Sequence, residues 1–299
     1  MRIVTRPDFD GIVCAVLLYD ALDITGKTAW IEPGDIQKGI APVQKGDILA
    51  NLPFHENCAL WFDHHYSNQV DSPFEGLYRV APSAAGLVGE YFQDRLSRDF
   101  SELIFQADKI DAADLSPQEV LFPEKHPCLI LSMTIIGHEK KDEPYWNRLV
   151  KLLGTQSIDM VMKDAEVEQR CRQAVRQNQE YETFLKKYTR LVGQVAITDF
   201  RPLAKPPTGN RFLIYSLFPE SVVNVKIRYA SEDEQKVLVS VGHSIFNRNC
   251  RVNVGAMLTR FGGGGHKGAG ATSRPAGQAD DDIAEIIDIL VANQADDAP

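Results

Sequence analysis

At 299 residues the chain is long enough for about two domains of ~150 residues each, and a formal net charge of −9 excludes a uniformly basic coat for nucleic acid. With 44% hydrophobic and 24% charged residues it is not a disordered chain. No apolar run approaches the ~20 residues of a membrane-spanning helix, so no membrane partner is expected.

The N-terminus, MRIVTRPDFDG, passes from a short apolar strand (residues 2–5) straight into an acidic loop, leaving no room for a signal peptide, so the chain reads as cytoplasmic. A helical pattern follows over residues 12–23. Short apolar runs at 28–31, 47–50 and 59–62, each bounded by Gly, Pro, Asn or Asp, read as strands. Residues 83–96 read as a helix with Ser83 as its N-cap, and 103–110 as a further helix. This rhythm predicts an α/β fold with a mostly parallel sheet and helices on both faces.

Between about 159 and 190 the chain is rich in Glu, Gln, Arg and Lys and free of Pro and Gly, which predicts one long linker helix or two in tandem. A Pro-rich loop at 201–209 opens a second unit. Residues 222–229 and 236–242 flank SEDEQ as a hairpin. Ile283, Ile286, Ile287, Leu290 and Val291 mark a closing amphipathic helix before an acidic tail. The expected organisation is an N-terminal domain over 1–155, a helical linker over 156–192 and a smaller α/β domain over 193–299. The five cysteines (Cys14, Cys58, Cys128, Cys171 and Cys250) are scattered without a CxxC pair, which speaks against a disulfide framework or a Cys-rich zinc site.

Two acidic clusters stand at strand ends and a third follows an apolar segment. Asp8 and Asp10 follow the first strand, where open parallel sheets bind ligands, and two carboxylates there suit a hard divalent cation, although they could equally cap the next helix. Asp63-His64-His65 follows the apolar run CALWF, so it should reach the same sheet edge; an imidazole beside carboxylates favours Mn²⁺ or another transition metal over Mg²⁺. Asp108, Asp111 and Asp114 form the third cluster, with a solvated helix face as the competing explanation. The most specific string is Phe261-Gly262-Gly263-Gly264-Gly265-His266-Lys267. Four successive glycines suit close backbone approach to an anion, with His266 and Lys267 as donors at the rim and Arg248 and Arg251 upstream.

Taken together, DxDG, Asp63-His64-His65 and GGGGH resemble the DHH phosphoesterase superfamily with its DHH-associated C-terminal domain, over nearly the whole chain from Thr5 to Thr272. The resemblance implies hydrolysis of phosphoester or phosphoanhydride bonds in small phosphorylated substrates, such as short single-stranded oligonucleotides, nucleotide phosphates or polyphosphate. It implies divalent metal ligands at Asp8, Asp10, His64 and Asp111, with Mn²⁺ preferred and Mg²⁺ an alternative. His65 would contact the scissile phosphate, and residues 262–266 would cradle phosphate. Two positions depart from the pattern. Arg6 and Val4 stand where the family carries a His before the first Asp, and Asn51 ends DILAN where the family carries a bridging Asp. Both changes fall on the first metal site. At most one tightly bound ion is therefore expected, with Asn51 as a weak additional ligand and Arg6 taking the place of the first ion's charge. Two rival readings stand beside the hydrolase: a catalytically weakened relative that binds nucleotide or phosphate without turnover, and a subunit, for instance a homodimer, associating through the linker and closing helices. Long duplex nucleic acid is not an expected partner.

Overall fold

The computed structural model describes residues 1–135, 140–230 and 235–295. The chain divides into two compact units: Met1–Leu115 with Glu124–Arg172, and Ser116–Pro123 with Gln173–Pro299.

The first unit is built on strands β1 (Ile3–Thr5), β2 (Ala29–Trp30), β3 (Asp47–Ala50), β4 (Cys58–Asp63) and β5 (Gly76–Tyr78), in the order β2-β1-β3-β4-β5 with every pairing parallel. The parallel sheet expected from the βαβ rhythm is present. The expected strand at 28–31 narrows to two residues, and β5 carries only Gly-Leu-Tyr, too short for any periodic signal. Helix α1 (Phe9–Ala21) is apolar nearly all round and correspondingly buried nearly all round. It packs against the sheet, α3 (Ala84–Tyr91) and α4 (Ser101–Asp111); α2 (Pro33–Gln37) contributes Ile36 to a second apolar cluster with Val4, Leu49 and Trp61. Trp61 and Phe62, both fully buried, anchor β4. The chain leaves β1 toward β2 and β3 toward β4, on opposite sides, so the C-terminal ends of β1 and β3 bracket a topological switch point. Such a crevice is where open α/β sheets bind ligands. Register fixes what lies there: Thr5 pairs with Ala50 and Ala50 with Phe62, so Arg6, Asn51 and Asp63 follow side by side.

Helices α5 (Pro117–Leu121), α6 (Pro127–Met133) and α7 (Glu143–Thr155) fill a stretch in which no element was expected, and α8 (Ile158–Val161) follows them. α7 buries Tyr145, Trp146, Leu149, Val150 and Leu153 and packs on α1. The linker region resolves into two helices in tandem, the short α8 and the 24-residue α9 (Ala165–Tyr188).

The second unit holds β6 (Thr189–Val192), β7 (Val195–Asp199), β8 (Val223–Tyr229), β9 (Lys236–His243), β10 (Gly264–His266) and β11 (Ala269–Pro275), in the order β10-β11-β9-β8-β7-β6. Only β7–β8 is parallel among these pairings. The expected hairpin is the antiparallel β8–β9 pair; the residues of its turn, 231–234, lie outside the described residues, as does the acidic tail 296–299. One sheet face packs its valines and isoleucines on α11 (Val254–Thr259) and α12 (Ala276–Ala292), the expected closing helix. On the other face, α10 (Leu213–Leu217) brings Tyr215, whose hydroxyl donates to the carbonyl of Gly242, and Asn178 on α9 accepts from the Asn210 N–H. Among the described residues no helix is long and apolar enough to cross a membrane.

Candidate active site

Asp8 leaves β1 in an extended conformation and N-caps α1, accepting from the Gly11 N–H at 2.8 Å. Gly11 is obligatory here, because a Cβ would sit 2.0 Å from the Arg6 carbonyl. The DxDG loop thus caps the helix and also sets Asp8 and Asp10 at the switch point. Asp10 is buried at the N-terminus of α3, where it accepts from Ala84 N at 2.9 Å and Ala85 N at 2.8 Å. Ser83, as expected, N-caps that helix and donates to Asp108 at 2.6 Å. Burial, then the charges of Asp111 and Asp8, push the Asp10 carboxyl well above its ordinary value, while the two backbone bonds pull the other way.

His64 and Asp111 complete a cluster with Asp10. Their ligand atoms all lie within 4.8 Å of one another. His64 Nε2 stands 3.4 Å from Asp111 Oδ2 and 3.8 Å from Asp10 Oδ2. His64 Nδ1 donates to the Ala81 carbonyl at 2.9 Å, so in the neutral ring Nε2 carries the lone pair; it is buried and has no hydrogen-bond partner. A backbone-anchored imidazole with an orphaned lone pair, aimed at two carboxylates, fits a divalent cation, and three such mixed ligands suit Mn²⁺. Asp111 stands at this cluster, whereas Asp108 is occupied by Ser83.

The neighbouring position is arranged differently. Asp8 Oδ1 accepts from Asn51 Nδ2 at 2.9 Å, and Oδ2 lies 3.3 Å from Arg6 Nε. Glu32, after β2, reaches Arg6 Nε at 3.8 Å. Asn51 takes a left-handed backbone conformation, φ 57°, that places its amide over this carboxylate. A guanidinium and an amide N–H₂ are thus directed at Asp8, while Asn51 Oδ1 is buried without a hydrogen-bond partner among the described residues.

His65 is half-exposed and its Nδ1 donates to Asp63 Oδ1 at 2.8 Å; the Asp63 carboxylate raises its pKa above the ordinary imidazole value. Fully buried Asp63 also accepts from Asn68 Nδ2 at 2.6 Å, and Tyr78 donates to the His65 carbonyl. Sequence reasoning took Asp63 only as part of a string. Its separation of two residues from His65 in an extended segment was the available signal, since such residues share a side. Glu32 had no signal at all.

In the second unit the glycine run is half loop, half strand. Gly262 has φ +69°, while Gly264–His266 form β10 against β11. Gly265, at φ +154°, could take no Cβ, which would lie 2.2 Å from the Ala269 carbonyl; at Gly264 a Cβ would meet nothing within 4 Å. Gly263 is equally closed, 2.4 Å from the Ala271 carbonyl. Some of the glycines thus serve close strand packing, and Gly264 alone of these three faces open space. His266 and Lys267 are exposed, and His266 Nδ1 accepts from Gly268 N. Arg248 is exposed with its Nε on the Ile245 carbonyl, and Arg251 is exposed with its backbone N–H on Asn293. A residue that sequence reasoning missed is His243, at the end of β9. Its Nε2 donates to the Val252 carbonyl and its N–H to the Gly268 carbonyl; burial, with the charges of His266 and Lys267, lowers its pKa.

No family model matches the chain, and no curated protein matches it in sequence. Among solved structures, the pGpG-specific phosphodiesterase PggH of Vibrio cholerae is similar end to end, with 28% identity, 98% of this chain and 99% of that chain covered, and a TM-score of 0.85. The DHH domain of a member of the s1p family of ribosomal proteins shares the fold at 11% identity, covering 97% and 86% with a TM-score of 0.60. So does RecJ of Thermus thermophilus in complex with Mn²⁺, at 15% identity, covering 97% and 52% with a TM-score of 0.58. With the DxDG and Asp63-His64-His65 loops at one sheet edge and GGGGH in the second unit, the chain shares the fold and the motif strings of the DHH phosphoesterases, and its likeness to PggH points to a phosphoester hydrolase.

Proposed function

We propose that the chain is a metal-dependent phosphodiesterase of short linear oligonucleotides, with a 5′-phosphorylated guanine dinucleotide of the pGpG type as the leading substrate. The observation that carries the substrate reading is the end-to-end similarity to the pGpG phosphodiesterase. In this reading the first unit is the catalytic domain and the second, with Gly262–Gly265, His266, Lys267 and Arg248, supplies phosphate- or nucleotide-binding groups.

Asp10, His64 and Asp111 would hold one divalent ion, Mn²⁺ by ligand chemistry. Such an ion supplies Lewis acidity toward a phosphoryl oxygen and a nucleophile at neutral pH. Asp10 is fixed by two backbone N–H groups and His64 by a backbone carbonyl, so these ligands need little rearrangement to receive the charge. Arg6, held by Asp8 and Glu32, offers its remaining guanidinium N–H groups to a phosphoryl oxygen. His65, kept protonated more readily by Asp63, offers a proton or hydrogen bond to a second oxygen.

The test is Mn²⁺-dependent release of nucleoside monophosphate from pGpG, together with the metal content of the loaded protein. One ion per chain and turnover support the reading; two stoichiometric ions refute the single-site assignment. Binding of the dinucleotide without turnover would favour the weakened relative, a reading supported by the Arg6–Asp8–Asn51 arrangement.

A further inference from the structure

The turn after the Asp63-His64-His65 string carries an aromatic ring that the metal chemistry does not use. Tyr66 opens a 3₁₀ turn, Tyr66–Asn68, and is 79% exposed. Among the described residues its phenol makes no hydrogen bond. Its backbone, by contrast, is held from both ends. Asn68 Nδ2 donates to Asp63 Oδ2 at 2.6 Å, and the Asn68 N–H donates to the His65 carbonyl at 3.0 Å. Tyr78 donates to the same carbonyl at 3.0 Å, and its own ring is stacked on fully buried Trp61, 5.0 Å between centroids at 6°. A ring on a turn fixed in this way loses little freedom when a flat ligand covers it.

A single exposed aromatic is ordinary on a protein surface; what sets Tyr66 apart is its surroundings. β4 and β5 are parallel with Asp63 paired to Tyr78, so the segments that leave them run side by side. The hydrogen bond from His64 Nδ1 to the Ala81 carbonyl ties them together beyond the sheet. The second segment is apolar and exposed as well. Val80 is 66% exposed and Pro82 lies on the surface, while the charged residue before them, Arg79, is engaged by Glu90. Tyr66 and Val80 thus flank the His64–Ala81 hydrogen bond, on the rim beside His65 and the Asp10–His64–Asp111 cluster. An uncharged rim with an aromatic face adds nothing to the binding of a polyphosphate, in which every unit is charged. It suits a ligand that carries a flat π-surface next to its phosphate.

We propose that Tyr66 is the stacking platform for a nucleobase beside the scissile phosphate, with Val80 packed against the edge of that base. The pair selects nucleotides over polyphosphate, and purines, which offer the larger stacking face, over pyrimidines. This assignment rests on the phosphodiesterase reading.

The experiment compares pGpG with its 5′-phosphorylated analogue that lacks both bases, on the full chain, by Mn²⁺-dependent kinetics and by equilibrium binding without metal. The wild type is expected to favour pGpG. Tyr66→Ala should raise the KM for pGpG at least about tenfold, toward that of the base-free analogue, and affect kcat far less. Tyr66→Phe should keep most of the wild-type KM, because the ring rather than the hydroxyl makes the contact, and Val80→Ser should raise it by a smaller factor. In Tyr66→Trp the added indole fluorescence should be quenched as pGpG binds, a signal that a merely structural role would not produce. An unchanged KM in Tyr66→Ala, an equal loss toward both compounds, or a Tyr66→Phe protein as impaired as Tyr66→Ala overturns the platform. If pGpG is not hydrolysed at all, the phosphodiesterase reading fails instead and binding decides the platform by itself. No binding, or equal affinity of wild type and Tyr66→Ala for pGpG, then overturns it, and a weakened variant sustains it.

Discussion

The two units prepare for anionic chemistry by opposite means. At the edge of the first sheet the groups are carboxylates and an imidazole held by backbone: buried Asp10 by Ala84 and Ala85, buried His64 by Ala81, and half-buried Asp8 by Gly11. In the second unit the conspicuous string has almost no side chains, and its strand packs so closely on its neighbour that Gly263 and Gly265 exclude a Cβ. A site that must hold a metal needs ligands fixed before the ion arrives and shielded from water. A surface that receives a nucleotide needs room, with charge only at its rim. In the proposed function the first unit would therefore concentrate the chemistry, and the second the fit.

Removing one ligand should produce the largest effect. Asp10→Ala is expected to abolish Mn²⁺ binding and hydrolysis together. It should also destabilise the first unit by a few kcal/mol, since two buried N–H groups lose their acceptor at about 1–3 kcal/mol each. Titration calorimetry and urea unfolding report the two parts; retained tight Mn²⁺ binding would break the contrast between the units.

The glycines offer the converse experiment. Gly265→Ala forces a Cβ against the Ala269 carbonyl at a φ of +154° and should cost more than about 2 kcal/mol, whereas Gly264→Ala should stay within about 0.5 kcal/mol of wild type. Only the second variant then reports on ligand binding rather than folding. Equal destabilisation at both positions would show that the run is not divided as described.

Within the first unit, Arg6→His combined with Asn51→Asp replaces the two donors directed at Asp8 with potential ligands. Metal content measured after Mn²⁺ loading and desalting should rise from one ion per chain to two. An unchanged value would mean that these residues do not decide occupancy.

The smallest effect concerns His65, whose pKa in the folded chain is raised by Asp63. Its pairing therefore stabilises the fold fully below the ordinary imidazole value of about 6.5, and that contribution disappears as pH rises through the raised folded value. In Asp63→Asn the His65 ring, followed by NMR, should titrate lower than in wild type, and this pH-dependent increment should vanish. A titration unchanged by the substitution would remove the dyad from the site.

Much of this was legible before any coordinates. The parallel sheet followed from short apolar runs between helical patterns, and the closing helix from isoleucines at helical spacing. Asp10 and His64 stood out because DxDG and Asp63-His64-His65 both follow apolar strands and so should reach one sheet edge, although either string alone has a structural explanation. Asp111 was separable from Asp108 by spacing, and the geometry places only Asp111 beside His64. Helix α7 was overlooked although Tyr145, Trp146, Leu149, Val150 and Leu153 recur at helical spacing, whereas β5 escaped because three residues carry no period.

The order of residues along the chain settled which chemistry is available: carboxylates and imidazoles after strands, glycines where strands crowd, and a changed pair at Arg6 and Asn51. Which of those groups meet was decided only in three dimensions. The partners of Asp10 lie more than seventy residues away at the N-terminus of α3, and Glu32 comes to Arg6 from beside a neighbouring strand. Sequence periodicity tells which face of an element is buried. It does not tell which elements become neighbours, because that depends on register and crossover, and it is neighbours that set desolvation, charge coupling and the open space a ligand can enter.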